Sequence, residues 1–191
     1  MITSNSVRNA ALIAALLAAP GLQAAEVAGV RVADSLRVGN QELVLNGAGL
    51  RSKLFIKVYV GALYVERRMT TPAAILENSG RRRVELRLLR DLDADALHSA
   101  LDEGLTNNHS PAELAPLKPA ADALAGIMRR IGKVREGDVV AIDFSADGVQ
   151  VALNGEERGK IANPEFARAL LKVWLGDKPA DASLKKALLG Q

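Results

Sequence analysis

The sequence predicts a single α+β domain in which an antiparallel sheet is covered by helices. Short apolar segments bounded by turn dipeptides fill the first third of the chain and return after residue 138. Segments with helical spacing of apolar residues occupy the middle and the C-terminal end. Strands and helices that come in separate runs are typical of α+β domains, because alternating strands and helices would instead favour a parallel sheet.

The first 25 residues predict a cleavable export signal. Arg8 is the only charged residue before Glu26, and residues 10–19 are almost purely apolar. Small residues follow at the distance expected for processing. This apolar run is about ten residues long, whereas a helix needs ~20 to span a bilayer. We therefore expect residues 1–25 to be removed and residues 26–191 to work in the periplasm, with no later segment that spans a membrane.

Composition argues against several classes of function. The formal net charge is +3, and removing Arg8 lowers it to +2, which is too small to favour nucleic-acid binding. The basic run at residues 81–83 has no interleaved aromatic residues and is interpreted as a solvated strand face. The chain has no cysteine, so neither a disulfide nor a thiol nucleophile is available. His98 and His109 lack an acidic cluster with ligand spacing, so we expect no metal and no cofactor.

The early strands follow from turn signals and apolar density. Residues 30–45 predict two short strands joined by Gly39-Asn40, and residues 46–49 predict a second turn. Residues 54–65 are rich in Val, Ile, Phe and Tyr and predict a central strand. The face expected to lie beneath the helices carries Leu54, Ile56, Val58, Val60, Ala62 and Tyr64. The opposite face is mixed in polarity, as the floor of a cleft would be.

The remaining elements are predicted by periodicity and capping residues. Helices are expected at residues 72–78, 93–107, 111–131, 164–175 and 182–189. Strands are expected at residues 82–89, 139–144, 149–153 and 158–161. Asp147-Gly148 and Asn154-Gly155 are favoured hairpin dipeptides and join the last three strands into a meander. We expect the three longest helices on one side of the sheet, with Trp174 buried as an apolar anchor.

Two parts of the sequence carry a resemblance to a known family. One is LNGAGLR at residues 45–51, followed by FIKVYVGALY at residues 55–64. The other is KVWLG at residues 172–176 with LKKALLG at residues 184–190. The chain resembles the exported bacterial branch of the chalcone isomerase-like family, which includes plant isomerases and plant fatty-acid-binding relatives. The resemblance implies an open-faced sandwich: a large antiparallel sheet covered on one face by helices, with a ligand cleft between them.

The resemblance also implies three ligand-binding residues. Arg51 matches the arginine that follows the Gly-Ala-Gly segment in the family and binds an anionic oxygen, a role that suits the planar guanidinium. Tyr59 matches the tyrosine of the fatty-acid-binding relatives, and Asn108 matches an asparagine of the isomerases. Eight residues of continuous strand would separate Arg51 from Tyr59 by ~27 Å. They can share a site only if the chain turns near Ser52-Lys53.

Two departures argue against efficient chalcone isomerisation. The isomerases have a tyrosine that falls on Leu101 and a C-terminal hydroxyl group that falls on Val173, and losing such groups costs transition-state stabilisation. Three hypotheses remain: a non-catalytic binder of a small amphipathic ligand such as a fatty acid, an isomerase (intramolecular lyase) with an unidentified substrate, and a scaffold with a vestigial cleft. An apolar cavity that reaches Arg51 favours the binder, further converging polar groups favour the isomerase, and an Arg51 paired with an acid in a filled interior favours the scaffold.

Overall fold

The computed structural model describes residues 25–191, so most of the predicted export signal lies outside the described residues. The strands are β1 (Ala25–Val27), β2 (Val30–Val32), β3 (Ser35–Val38), β4 (Gln41–Lys53), β5 (Ile56–Val65), β6 (Arg82–Leu88), β7 (Leu92–Asp93), β8 (Lys133–Val134), β9 (Val139–Ser145), β10 (Gly148–Leu153) and β11 (Glu156–Ile161). The helices are α1 (Pro72–Glu77), α2 (Ala94–Asn108), α3 (Pro111–Leu114), α4 (Lys118–Ile131), α5 (Pro164–Leu175) and α6 (Ala182–Leu188).

Seven antiparallel strands form the central sheet, in the order β11-β10-β9-β6-β5-β4-β3. The Gly39-Asn40 turn joins β3 to β4 as predicted, and the meander of β9, β10 and β11 is also confirmed. Asn154 and Gly155 both have positive φ, which is the backbone of the favoured two-residue hairpin turn. The predicted α+β architecture is therefore confirmed.

The helices lie on one face of the sheet and share one apolar core with it. Helix α4 packs on β11, α5 on β9 and β10, and α6 on β4 and β5, while α2 packs across α4 and α5. Trp174 of α5 is only 1% exposed, which confirms its predicted burial. On the other face, β1 and β2 cover part of β3, β4 and β5 and enclose a smaller apolar cluster.

The helix predicted at residues 111–131 is interrupted. A 3₁₀ turn at Ala115–Leu117 separates α3 from α4. Pro116 lies within this turn, and Pro119 lies in the first turn of α4. Proline has no N–H to donate and clashes with the preceding turn, so a continuous helix cannot pass through both positions. None of the helices within residues 25–191 is both long and apolar enough to cross a bilayer.

The turn predicted at residues 46–49 is wrong, because β4 continues through it. The glycines serve close packing instead. A Cβ atom on Gly47 would clash with the carbonyl oxygen of Ala187 in α6, and one on Gly49 would lie 2.6 Å from the Cβ of Ala187. These glycines allow the last helix to lie directly against the sheet.

The strand predicted from residue 54 begins two residues later. Leu54 and Phe55 form the two-residue turn between β4 and β5, with φ of +49° and +69°. Positive φ at both central positions normally selects Asn, Asp or Gly. An apolar pair therefore gave no turn signal in the sequence.

A β-bulge at Val58 changes which residues of β5 face the helices. Val58 has no partner in β4, whereas its neighbours on both sides do. Because the bulge inserts one residue, Val58 and Tyr59 both contact the helix-side core, and Val60 packs on the opposite face. Ile56 is 50% exposed. Of the six side chains expected beneath the helices, only Val58 belongs to the helix-side core.

The basic run at residues 81–83 is less solvated than predicted. Arg82 is buried and its Nη1 donates to the carbonyl oxygen of Ile75 at 3.0 Å. Arg83 donates to both carboxylate oxygens of Asp143 on β9, each at 2.7 Å. These arginines stabilise the sheet and its connection to α1.

Candidate functional site

The β4–β5 hairpin brings Arg51 and Tyr59 together. They are direct partners across the two strands. Neighbouring strands lie ~4.8 Å apart, so the long separation expected for a continuous strand does not apply. The chain turns at Leu54 and Phe55, two residues after the position that the shared site was expected to require.

In the described part of the chain, Arg51 has no acidic partner. Its Cζ lies 5.5 Å from the centroid of the Tyr59 ring, within the range of a cation–π contact. Among residues 25–191 no carboxylate forms a salt bridge with it, and its Nε is buried without a hydrogen-bond partner. An unsatisfied buried donor costs free energy. An anionic ligand could therefore bind this guanidinium without displacing an existing ion pair.

Two adjoining cavities meet at Arg51. The first, which we call the apolar cavity, has a volume of about 260 Å³. It is lined by Arg51, Lys53, Leu54, Ile56, Val58, Arg90, Leu92, Ala96, Leu97 and Ala100. The second, the polar cavity, has a volume of about 200 Å³ and is lined by Arg51, Ser52, Lys53, Ala100, Glu103, Gly104, Asn107, Lys178, Pro179 and Ala180.

The charges around the apolar cavity are all positive. Its wall contains three basic residues, Arg51, Lys53 and Arg90, and no acidic one. Arg51, Lys53 and Ala100 belong to the walls of both cavities. The guanidinium therefore lies at the boundary between an apolar compartment and a polar one, which is the arrangement that an anionic amphipathic molecule requires.

Tyr59 lies beneath Arg51 rather than in the wall of either cavity. It is 2% exposed, and its hydroxyl oxygen accepts a hydrogen bond from Trp174 Nε1 at 3.0 Å. Burial raises the pKa of the Tyr59 phenol, and the nearby Arg51 partly offsets this, so the phenol is neutral at ordinary pH. The ring supports the guanidinium while the hydroxyl group is bonded to α5.

Asn108 is not part of this arrangement. Its Nδ2 donates to the carbonyl oxygens of Gly104 and Lys178, at 2.8 and 2.7 Å. Its Oδ1 accepts from the backbone N–H of Lys178 at 2.9 Å. The side chain ties the loop after α5 to the end of α2, and it lines neither cavity. The structure thus brings together Arg51 and Tyr59 but not Asn108.

Sequence reasoning missed two of the basic residues. Lys53 is close to Arg51 in sequence, but only the position of the hairpin turn shows that it borders both cavities. Arg90 follows β6 and reaches the apolar cavity because β6 pairs with β5. No local signal links it to Arg51.

The family model described as chalcone isomerase-like matches residues 24–190. The chain belongs to the chalcone isomerase-like family. Among curated proteins no sequence matches it significantly. The crystal structure of a fatty-acid binding protein from Arabidopsis thaliana has the same fold, with a TM-score of 0.67 and 16% sequence identity. The match covers 84% of this chain and 92% of that protein.

This chalcone isomerase-like chain has no hydroxyl group at the two positions where the isomerases were expected to have one. Leu101 is 3% exposed and Val173 is 1% exposed, and both belong to the main core. Val173 packs so tightly on α2 that a Cβ atom at Gly104 would lie 2.7 Å from one of its methyl groups. Apolar packing between α2 and α5 occupies both positions.

A larger cavity of about 500 Å³ lies between α2, α3 and α4, with Phe166 also in its wall. Its wall is mainly apolar, and Lys118 is the only lysine or arginine that lines it. This lysine is already paired with Asp122, at 2.9 Å. For an anionic ligand the Arg51 site is therefore the better candidate in this member of the family.

Proposed function

We propose that this chalcone isomerase-like protein binds a small anionic amphipathic ligand, such as a fatty acid, without transforming it. The observation that carries the proposal is the guanidinium of Arg51, which forms no salt bridge within residues 25–191 and lies at the boundary between the apolar and polar cavities. The carboxylate of the ligand binds Arg51, and its hydrocarbon chain occupies the apolar cavity. A planar guanidinium can donate two parallel hydrogen bonds to a carboxylate.

Charge supports this assignment, and the size of the cavity limits the ligand. The three basic residues of the apolar cavity attract an anion, and no acid in its wall opposes them. The volume of about 260 Å³ lies slightly below the range of ~300–1,000 Å³ usual for ligand pockets. A long acyl chain would therefore extend beyond the cavity.

Two further observations agree with binding rather than catalysis. The structural neighbour from Arabidopsis thaliana is itself a fatty-acid binding protein. Leu101 and Val173 offer no hydrogen bond to a reacting phenolate. Tyr59 acts as a positioning residue, because its ring supports Arg51 while its hydroxyl oxygen is bonded to Trp174.

Replacing Arg51 by alanine should weaken fatty-acid binding by about 10- to 150-fold, since a hydrogen bond to a charged group contributes roughly 1.5–3 kcal/mol. Arg51→Lys should recover only part of the affinity, because an ammonium lacks the planar fork. Calorimetric titration with a series of fatty acids measures both effects. Arg37→Ala is the matched control, since Arg37 is an exposed arginine of β3 that lines neither cavity.

Equal affinities for the wild type and Arg51→Ala would remove Arg51 from the site. Chalcone cyclisation should stay near the uncatalysed rate in the wild type and in the Arg51→Ala variant. Efficient turnover by the wild type would overturn the non-catalytic assignment in favour of an isomerase.

We also propose that the protein works in the periplasm after removal of its N-terminal segment. The mature chain should begin between Ala24 and Ala28, the region in which β1 starts. Intact mass of the periplasmic protein measures this directly. Exported material that retains residues 1–19 would contradict the proposal.

A further inference from the structure

The tip of the β4–β5 hairpin exposes a cluster of large apolar side chains. Leu54 is 83% exposed, Phe55 is fully exposed and Ile56 is 50% exposed. Within residues 25–191 no other large apolar side chains are exposed to this degree. We call residues 54–56 the hairpin tip. A contiguous exposed apolar cluster is a common mark of an interaction site.

The backbone of the hairpin tip is unfavourable for its residues. Leu54 and Phe55 have positive φ, a conformation that costs an L-residue with a bulky side chain roughly 1–2 kcal/mol. Asn-Gly at the same positions would remove most of this cost. Leu54 borders the apolar cavity, but neither burial nor backbone preference accounts for an apolar side chain at Phe55, so the hairpin tip is suited to a contact outside the chain.

Basic residues flank the hairpin tip on both strands. Lys53 and Lys57 are exposed on either side of it, and residues 51–57 contain no acid. Apolar side chains that project beyond flanking cations complement an anionic bilayer, where acyl chains lie beneath negatively charged headgroups. We call Lys53 and Lys57 the basic collar. A protein partner would not by itself require an apolar tip next to a basic collar.

The hairpin tip is also continuous with the apolar cavity. Leu54 and Ile56 line that cavity, whereas Phe55 does not. The exposed apolar surface and the cavity mouth therefore share the same side chains. A membrane that receives the hairpin tip would lie directly against the cavity.

We propose that the hairpin tip docks on an anionic lipid surface. Phe55 and Leu54 enter the boundary between headgroups and acyl chains, and Lys53 and Lys57 contact the headgroups. This inference does not depend on the identity of the cavity ligand. It adds to the proposed function a route by which an amphipathic ligand passes between bilayer and cavity.

Vesicle sedimentation tests the docking. The protein should bind vesicles of phosphatidylglycerol and phosphatidylcholine more strongly than vesicles of phosphatidylcholine alone. Phe55→Gly should lower the affinity for the anionic vesicles by at least about tenfold, as expected for the loss of a buried phenyl group. Gly suits the positive φ at this position, so the thermal midpoint of unfolding should stay the same or rise.

A double variant tests the contribution of the basic collar to vesicle binding. Lys53→Gln combined with Lys57→Gln should weaken binding to anionic vesicles by about 30-fold, since each lysine near such a surface contributes roughly fivefold. Added salt should weaken wild-type binding in the same direction. Binding that is equal on neutral and anionic vesicles and insensitive to salt would overturn the role of the collar.

A Phe55→Trp variant reports on the depth of insertion. The indole at position 55 should be quenched by lipids that carry bromine on their acyl chains. Trp174 supplies a constant background, because it is buried in the core. All variants share one N-terminus, so membrane affinity of residues 10–19 cannot produce a difference between them. Such affinity alone would not place the indole at position 55 next to brominated acyl chains.

Unchanged vesicle binding by Phe55→Gly, or no quenching in Phe55→Trp, would overturn the proposal. A third outcome would also overturn it: the wild type self-associates and does not bind vesicles, and Phe55→Gly is monomeric. The hairpin tip would then bind a second copy of the chain. Fatty-acid titration without vesicles separates the two proposals. Phe55→Gly should retain the wild-type affinity there, since Phe55 does not line the cavity.

Discussion

Replacing Trp174 by alanine is expected to lower the free energy of unfolding by about 3–5 kcal/mol, the usual range for a large buried aromatic side chain. Trp174 is 1% exposed, and its indole N–H donates to the buried Tyr59 hydroxyl oxygen. The variant loses the apolar contacts that anchor α5 and leaves a cavity. Chemical denaturation followed by circular dichroism measures the change, because Trp174 is the only tryptophan and its fluorescence disappears with it.

Trp174→Phe is the matched control. It keeps an aromatic ring in the core but removes the indole N–H that donates to the Tyr59 hydroxyl oxygen. Such a loss costs about 1–3 kcal/mol. It should therefore destabilise less than alanine. A loss below about 1 kcal/mol for Trp174→Ala would mean that α5 does not pack on the sheet as described.

Replacing Gly47 by alanine is expected to cost about 3 kcal/mol, toward the upper end for overpacking. The added methyl group would clash with the carbonyl oxygen of Ala187 and come within 3.0 Å of the backbone nitrogen of Gly190. These atoms belong to the backbone, so relief requires α6 and the residues after it to move away from β4. Thermal or chemical unfolding measures the change.

Gly126→Ala gives the opposite sign and serves as the control. Gly126 lies within α4, and a methyl group there would meet only the ends of two arginine side chains, at 3.6 and 3.9 Å. Alanine is favoured over glycine in a helix interior by up to about 1 kcal/mol. If Gly47→Ala were as well tolerated as Gly126→Ala, the packing of α6 on β4 would be refuted.

The sequence predicted the elements whose signals are local. The meander was predicted correctly because Asp147-Gly148 and Asn154-Gly155 are favoured hairpin dipeptides. Helix α5 was predicted correctly because Asn163 caps it and Gly176 ends it. The predictions were wrong where a residue packs against a part of the chain that is distant in sequence. Gly47 and Gly49 are typical of a turn, but they are needed because α6, more than 130 positions later, packs against them.

The candidate site was predictable only in part, for the same reason. The family resemblance singled out Arg51 and Tyr59, but their adjacency depends on a turn made by Leu54 and Phe55, which carry no turn signal. The bulge at Val58 then sets which face Tyr59 occupies. Within residues 25–191 Arg51 forms no salt bridge, although Glu103 lines the polar cavity with it. This depends on the whole sheet and helix layer, and periodicity cannot show it.

The packing of α6 on β4 has a consequence for the order in which the chain folds. Asn46 of β4 donates from one side-chain nitrogen to the carbonyl oxygens of Met69 and Leu188, at 2.9 and 2.7 Å, so a strand from the first third is fastened to the last helix. Contacts between such distant parts of a chain form slowly, because a long loop must close first. The contact of β4 with α6 cannot form until residues 182–188 have left the ribosome. A nascent chain therefore carries a complete set of sheet strands before the side chain of Asn46 can reach its partner in α6.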